Sequence, residues 1–194
     1  MQHFEFEWKT RDGLAIYAHG WEPGSQPRAV VCLVHGIGEH SSRYAHVGKF
    51  LNQAGYALLA FDHRGHGKSE GKRGHFACCE TAMQDIEDHL KQSANRYPDT
   101  PVFLYGHSMG GNLVINYTLH HNPQLSGVIS TAPMLRLAFK PSKAKELLAT
   151  CLMHLWPTLP LSNGLNTSDL SRDPEIVKAY DDDSLTHNRV TPCF

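Results

Sequence analysis

A doubly wound α/β sheet, mostly parallel, is the fold class this sequence predicts, and three observations predict it. Four short apolar runs, at 29–34, 56–61, 102–105 and 127–130, show no polar alternation. Strands that read this way are buried on both faces, as in a parallel sheet. Apolar residues at helical spacing fill the stretches between the runs. Ahead of them, Phe4, Phe6 and Trp8 alternate with polar residues as a half-buried strand does, which gives the sheet an antiparallel N-terminal hairpin.

Taken in order, Asp12-Gly13 turns the chain and residues 14–21 return it, completing the hairpin. Pro23 to Pro27 is a loop before the first buried run. Tyr44, Val47, Phe50, Leu51 and Ala54 then fall on one helical face, and Gly55 ends that helix. After the second run, residues 62–69 alternate Gly with Asp, His and Ser, a tight self-bonded loop. There Asp62 could serve as a carboxylate partner and His63 and His66 as ligands, but a structural role is the better reading. Thr81 with Gln84 resembles a capping box, followed by Met83, Ile86, Leu90 and Ala94 at helical spacing.

After Ala132-Pro133 the rhythm breaks. Leu147, Leu148, Leu152, Met153, Leu155, Trp156 and Leu159 lie among prolines, and Asp173-Pro174 opens a further helix with Pro at its first position. The division expected is a sheet core over 1–133, an inserted cap over 134–187 and the start of a return to the core over 188–194.

The totals exclude several classes. Of 194 residues, 41% are hydrophobic and 19% charged, with a net charge of −1, so nothing draws the chain to nucleic acid. Five cysteines without a Cys-x-x-Cys pattern argue against a disulfide framework and for a reducing, cytoplasmic setting. Cys32 reads as a core thiol and Cys78-Cys79 as idle. No signal peptide or membrane span is visible. Fourteen histidines invite a metal site, with His35, His40, His63, His66 and His107 as candidates. No zinc-type spacing supports one, so no metal is expected.

The chemistry concentrates at Gly106-His107-Ser108-Met109-Gly110, set between an apolar strand and a helix. A G-x-S-x-G placed there makes a sharp turn that lifts the serine above the sheet, and Ser108 reads as a nucleophile. Acyl transfer develops negative charge on the attacked carbonyl oxygen, so hydrogen-bond donors must already point at it. The Met109 N–H is one candidate. The Ile37 N–H, in the glycine-rich loop 35–40, is the other. His107 adjoins the serine but its side chain should point away.

Three motifs carry a resemblance to the monoacylglycerol lipase and lysophospholipase family of α/β-hydrolases. They are residues 35–44 (HGIGEHSSRY), 61–71 (FDHRGHGKSEG) and 106–111 (GHSMGG), joined by a late-cap-like segment, 170–180. The resemblance spans nearly the whole chain. It implies an α/β-hydrolase fold, Ser108 as nucleophile, the Ile37 and Met109 amides as oxyanion hole, and no cofactor. Glu39 and Arg43 match positions that help form the polar end where glycerol hydroxyls bind. The family's cap is an apolar lid over one acyl chain, which implies a lipid ester substrate and a transient contact of the cap with a membrane surface. The family pattern continues past a segment like 187–192 into strands bearing the catalytic Asp and His. This chain reaches Phe194 before either, so a sheet lacking its last strands, an exposed Val128-Ile129 strand and near-inactivity are expected. Peptidase, perhydrolase or carbon–carbon hydrolase chemistry shares the serine elbow, and a non-catalytic lipid-binding role is the different-class alternative. Dehalogenase or epoxide chemistry would want Asp at position 108.

Overall fold

The computed structural model describes residues 2–136 and 142–192; the Leu148 side chain and Phe194, both named above, lie outside the described set. A six-stranded sheet runs in the order β1-β2-β4-β3-β5-β6. β1 (Gln2–Lys9) and β2 (Ala15–Glu22) form the opening hairpin, and β2 lies antiparallel to β4 (Ala57–Phe61). The remaining ladders, joining β3 (Val30–Val34), β4, β5 (Val102–His107) and β6 (Gly127–Thr131), are parallel. The fold is that of an α/β-hydrolase, doubly wound with a mixed edge.

Why the central strands carry no polar alternation is plain from what covers them. On β3, Val30, Cys32 and Val34 join the core beneath α2 (Cys79–Arg96) and α3 (Met109–His121). Val31 and Leu33 point to the other face, under α1 (Ala45–Gln53), with Trp21, Leu58 and Ala60. Both faces are covered, so every position of β3 and β4 is buried. Each such Leu or Val side chain contributes about 1.5–3 kcal/mol by leaving water. Gly48 lets α1 lie directly against the Trp21 indole, where a Cβ would overlap the ring.

Two helices differ from expectation. Phe50 is 71% exposed, because α1 beds on Gly48 and Asn52 and the turn carrying Phe50 faces away. The second helix begins at Cys79, so Thr81 sits at the third helical position instead of at the cap. There its hydroxyl accepts the Cys78 N–H at 3.3 Å and donates to the Cys78 carbonyl at 2.6 Å. Ala94 lies on the exposed side of that helix.

Among the described residues, the region after Pro133 contributes no strand to the main sheet. It holds α4 (Lys143–Leu155), a two-residue strand β7 (Leu161–Ser162) and α5 (Pro174–Asp181). Asp173 caps α5 by accepting the Glu175 N–H at 2.9 Å, with Pro174 at the first position. Residues 188–192 bring β8 (Arg189–Val190) back to pair with β7. Thr191 is buried and hydrogen-bonded to His75 of the core at 2.8 Å.

Candidate active site

β5 ends at His107 and α3 begins at Met109, so Ser108 alone makes the turn, at φ 54° and ψ −115°. Positive φ at a non-glycine residue costs on the order of 1–3 kcal/mol and persists only where the surroundings impose it. Here the Ser108 N–H donates to Thr131 O at 3.0 Å, and its carbonyl accepts from Asn112 and Met134 at 3.1 and 3.0 Å. The flanking glycines admit this path. A Cβ on Gly106 would overlap the Gly110 backbone, and one on Gly110 would overlap the Val34 carbonyl oxygen. His107 turns aside to bond Thr131 Oγ1 at 2.9 Å.

The loop after β3 meets this turn. A Cβ on Gly36 would lie 3.3 Å from the Ser108 Cβ, so its bare backbone adjoins Ser108. Among the described residues neither the Ile37 N–H nor the Met109 N–H has an acceptor, and both are free for a ligand. The loop is braced from within: Glu39 Oε1 accepts the Gly36 N–H at 2.7 Å and the Tyr44 hydroxyl at 2.8 Å. Arg43 reaches Glu39 Oε2 at 3.4 Å and stacks over the Tyr180 ring at 4.7 Å. From the cap, the Tyr180 hydroxyl and the His187 N–H both donate to the Gly38 carbonyl, at 3.0 and 2.9 Å. His40 bonds Asp183 at 2.8 Å, which holds that carboxyl below its usual range against the raising effect of its partial burial.

Asp62, His63 and His66 stand beneath the loop. Buried Asp62 accepts the Ser41 N–H and hydroxyl and the Lys68 N–H, at 2.8, 2.6 and 2.8 Å, which fixes the loop after β4. His35, His63, His66 and His187 pack edge-on or tilted as a cluster, with ring centroids 4.5 Å apart for the 35–63 and 66–187 pairs. Burial holds His35, His63 and His66 neutral, well under the usual imidazole range for the last two. Among the described residues no group of three or more His, Cys, Asp or Glu is disposed to hold a metal ion. Cys32 is fully buried and its thiol is pushed up to about 12, while Cys78 and Cys79 are exposed.

Sequence reading did not anticipate an apolar cavity of about 180 Å³ beside Met109. Phe76, Cys79, Ala82, Leu113 and Met134 line it with Met109. Its walls come from three separate segments, so no local pattern announces it. Of the residues expected to make the acyl lid, Leu147, Met153 and Leu155 of α4 and Trp156 just after it are exposed, whereas Leu152 and Leu159 are partly buried.

The chain is similar to several known proteins. A model of the Hydrolase_4 family, described as serine aminopeptidase, S33, matches residues 25–194. A monoacylglycerol lipase of Mycolicibacterium smegmatis is 36% identical over 180 residues, covering 93% of this chain and 64% of that protein. A monoglyceride lipase of Rattus norvegicus is 32% identical over 185 residues, covering 94% and 61%. The crystal structure of a Paleococcus ferrophilus monoacylglycerol lipase superposes with a TM-score of 0.78 at 38% identity, over 99% of this chain and 66% of that one. The chain thus spans somewhat under two thirds of the length of these relatives. With this match over residues 25–194 and a mostly parallel sheet flanked by helices, the chain belongs to the Hydrolase_4 family of α/β-hydrolases.

Proposed function

We propose that this chain carries the nucleophile and oxyanion hole of a serine hydrolase that cleaves carboxylic esters of the monoacylglycerol or lysophospholipid kind. The observation that carries the reading is the strained Ser108 turn lying against the Gly36 backbone, with two unengaged N–H donors beside it. Ser108 Oγ attacks the ester carbonyl. The oxygen, now negative, accepts the Ile37 and Met109 N–H groups, each such donor contributing about 2.7–4 kcal/mol to the transition state. The alcohol leaves, and water then hydrolyses the acyl-serine. The cavity beside Met109 suits an aliphatic group, and the Glu39–Arg43 pair supplies the polar end for glycerol hydroxyls. The names of the lipase relatives support that substrate class.

The proton chemistry needs a histidine and a carboxylate. Among the described residues no imidazole is bonded to Ser108 Oγ, so on this reading residues 1–194 alone turn over slowly. Loss of a triad base costs roughly 10⁶ in turnover. The exposed Leu147, Met153, Leu155 and Trp156 of the cap suit a transient membrane-surface contact, and a cytoplasmic protein peripheral to membrane is the setting proposed. No helix among the described residues is long and apolar enough to cross a membrane.

The test uses the full-length natural product and residues 1–194 side by side. Fluorophosphonate should label Ser108 in the full-length protein and spare its Ser108→Ala variant. A panel of monoacylglycerol, lysophospholipid, aminoacyl amide and diketone substrates should show ester cleavage by the full-length protein and almost none by residues 1–194. Amide turnover above ester turnover would shift the reading to a peptidase, and absence of labelling to a lipid-binding protein.

A further inference from the structure

The His35 ring lies completely buried between the loop after β3 and the loop after β4. Its two nitrogens have fixed and opposite duties. Nε2 faces the His63 backbone N–H at 3.0 Å and can only accept, so it carries no hydrogen. Nδ1 faces the Gly36 carbonyl at 2.8 Å and can only donate. The two bonds together select the neutral Nδ1–H tautomer.

A buried histidine that merely fills space need not be used this way. His63, His66 and His89 are equally buried, and each leaves one ring nitrogen without a partner. His35 alone of these four satisfies both. Its acceptor bond rests on a stiff support, because His63 sits between Asp62, which takes three hydrogen bonds, and Arg64, which grips Asp85 at 2.7 and 2.8 Å.

What His35 holds is the peptide between Gly36 and Ile37. That unit is planar and trans, so its carbonyl and its N–H point in opposite directions. Anchoring the Gly36 carbonyl on one side therefore turns the Ile37 N–H to the other. The preceding peptide is pinned separately, through the Gly36 N–H on Glu39. We infer that His35 is a positioning residue of the oxyanion hole, aiming the Ile37 N–H by way of its Nδ1–H bond to the Gly36 carbonyl. This rests on the reading of Ser108 as nucleophile and Ile37 as oxyanion donor. Burial, which disfavours the charged ring, keeps the required tautomer in place although Asp62 and Glu39 pull the other way.

The experiment combines a spectroscopic signature with rescue. A two-bond proton–nitrogen correlation spectrum of uniformly ¹⁵N-labelled residues 1–194 should show His35 Nδ1 protonated and Nε2 bare. His35→Asn keeps a donor where Nδ1–H stood, His35→Gln moves it to the Nε2 end, and His35→Leu removes it. The Ile37 amide resonance should stay near its native position in His35→Asn and move in the other two. In the full-length protein, fluorophosphonate labelling of Ser108 should hold within about threefold for His35→Asn. It should fall by ~10-fold or more for His35→Leu, approaching the ~10²–10³ of a lost donor. An Nε2–H tautomer, or an Asn variant no closer to native than the Gln variant, would overturn the inference. If the wild-type protein takes no label, the serine reading has failed, and the tautomer and the Ile37 resonance still decide what His35 does. If His35→Leu does not fold, the Asn and Gln comparison decides.

Discussion

At Ser108 the backbone adopts a conformation that glycine accepts freely and serine does not. The bonds from Ser108 to Thr131, Asn112 and Met134 impose it, and the hydroxyl gains exposure at the head of α3 in return. The strain belongs to the backbone, so it can be separated from the chemistry. Ser108→Gly and Ser108→Ala should both abolish labelling. Ser108→Gly should nevertheless be the more stable of the two, by about 1 kcal/mol, once glycine's larger unfolded-state entropy is set against the relief. Urea unfolding of the two variants measures the difference, and an equal midpoint would mean the turn stores no strain. The serine was legible because G-x-S-x-G between a strand and a helix is a local pattern. Glu39 was legible only as a polar residue near the site. That its Oε1 takes the Gly36 N–H depends on how the loop closes on itself, which spacing does not reveal.

At the scale of elements, Arg64 joins three that are far apart in sequence. Its guanidinium binds Asp85 of α2 in a bidentate pair and Asp12 of the hairpin turn at 2.8 Å. The partner on α2 is almost fully buried, so removing the cation strands a carboxylate in the core. Arg64→Leu should cost about 3–5 kcal/mol, and adding Asp85→Leu should recover much of it, as replacement of both partners by apolar groups does. Thermal unfolding of the single and double variants checks this, and an uncoupled, additive result would put both residues outside the core. The strands themselves were legible, because burial on both faces writes an uninterrupted apolar run. The partners of Arg64 were not, since sheet order, and no local period, brings them together. The same limit applies to Phe50, whose spacing fits the apolar face although Gly48 rotates that face elsewhere. At the sheet's edge among the described residues, Val128 and Ile129 are 39% and 43% exposed on opposite faces of β6. An edge of this kind is a template for pairing with other chains. Ile129→Lys should therefore raise the concentration at which residues 1–194 stay monodisperse in light scattering, with little change in melting temperature. Unchanged aggregation would place the sticky surface on the cap instead.

Over the whole molecule, the histidines set how the fold meets acid. Their number was legible, and so was a meeting of His35, His63 and His66 at the strand ends; that the cap adds His187 was not, because no local pattern carries it there. Burial lowers each of these four, His187 to about 4, and it also lowers His19 to about 4 and His89 to about 3. Arg73 adds to the lowering at His66 and His187, whereas Asp62 favours the charged form of His35 and His19. In the unfolded chain these rings protonate near pH 6.5. Below that point the unfolded state binds protons that the folded state refuses, so stability falls as pH falls, and it is fully present above about 6.5. Each fully buried ring contributes a slope of about 1.4 kcal/mol per pH unit until its folded pKa is reached. His63 and His66, both held well below the usual imidazole range by burial, add to this loss as the pH falls below about 6.5. Carboxylates cannot account for a loss in that window. Asp12, held at about 2 by its hydrogen bond from Arg64, releases its stabilisation only at far lower pH. The urea midpoint should therefore drop steeply from pH 6.5 to 5 and the drop should shrink in His66→Asn, which cannot take the proton. A flat profile down to pH 5 would mean that the cluster opens to water and that its rings are not held neutral by the fold.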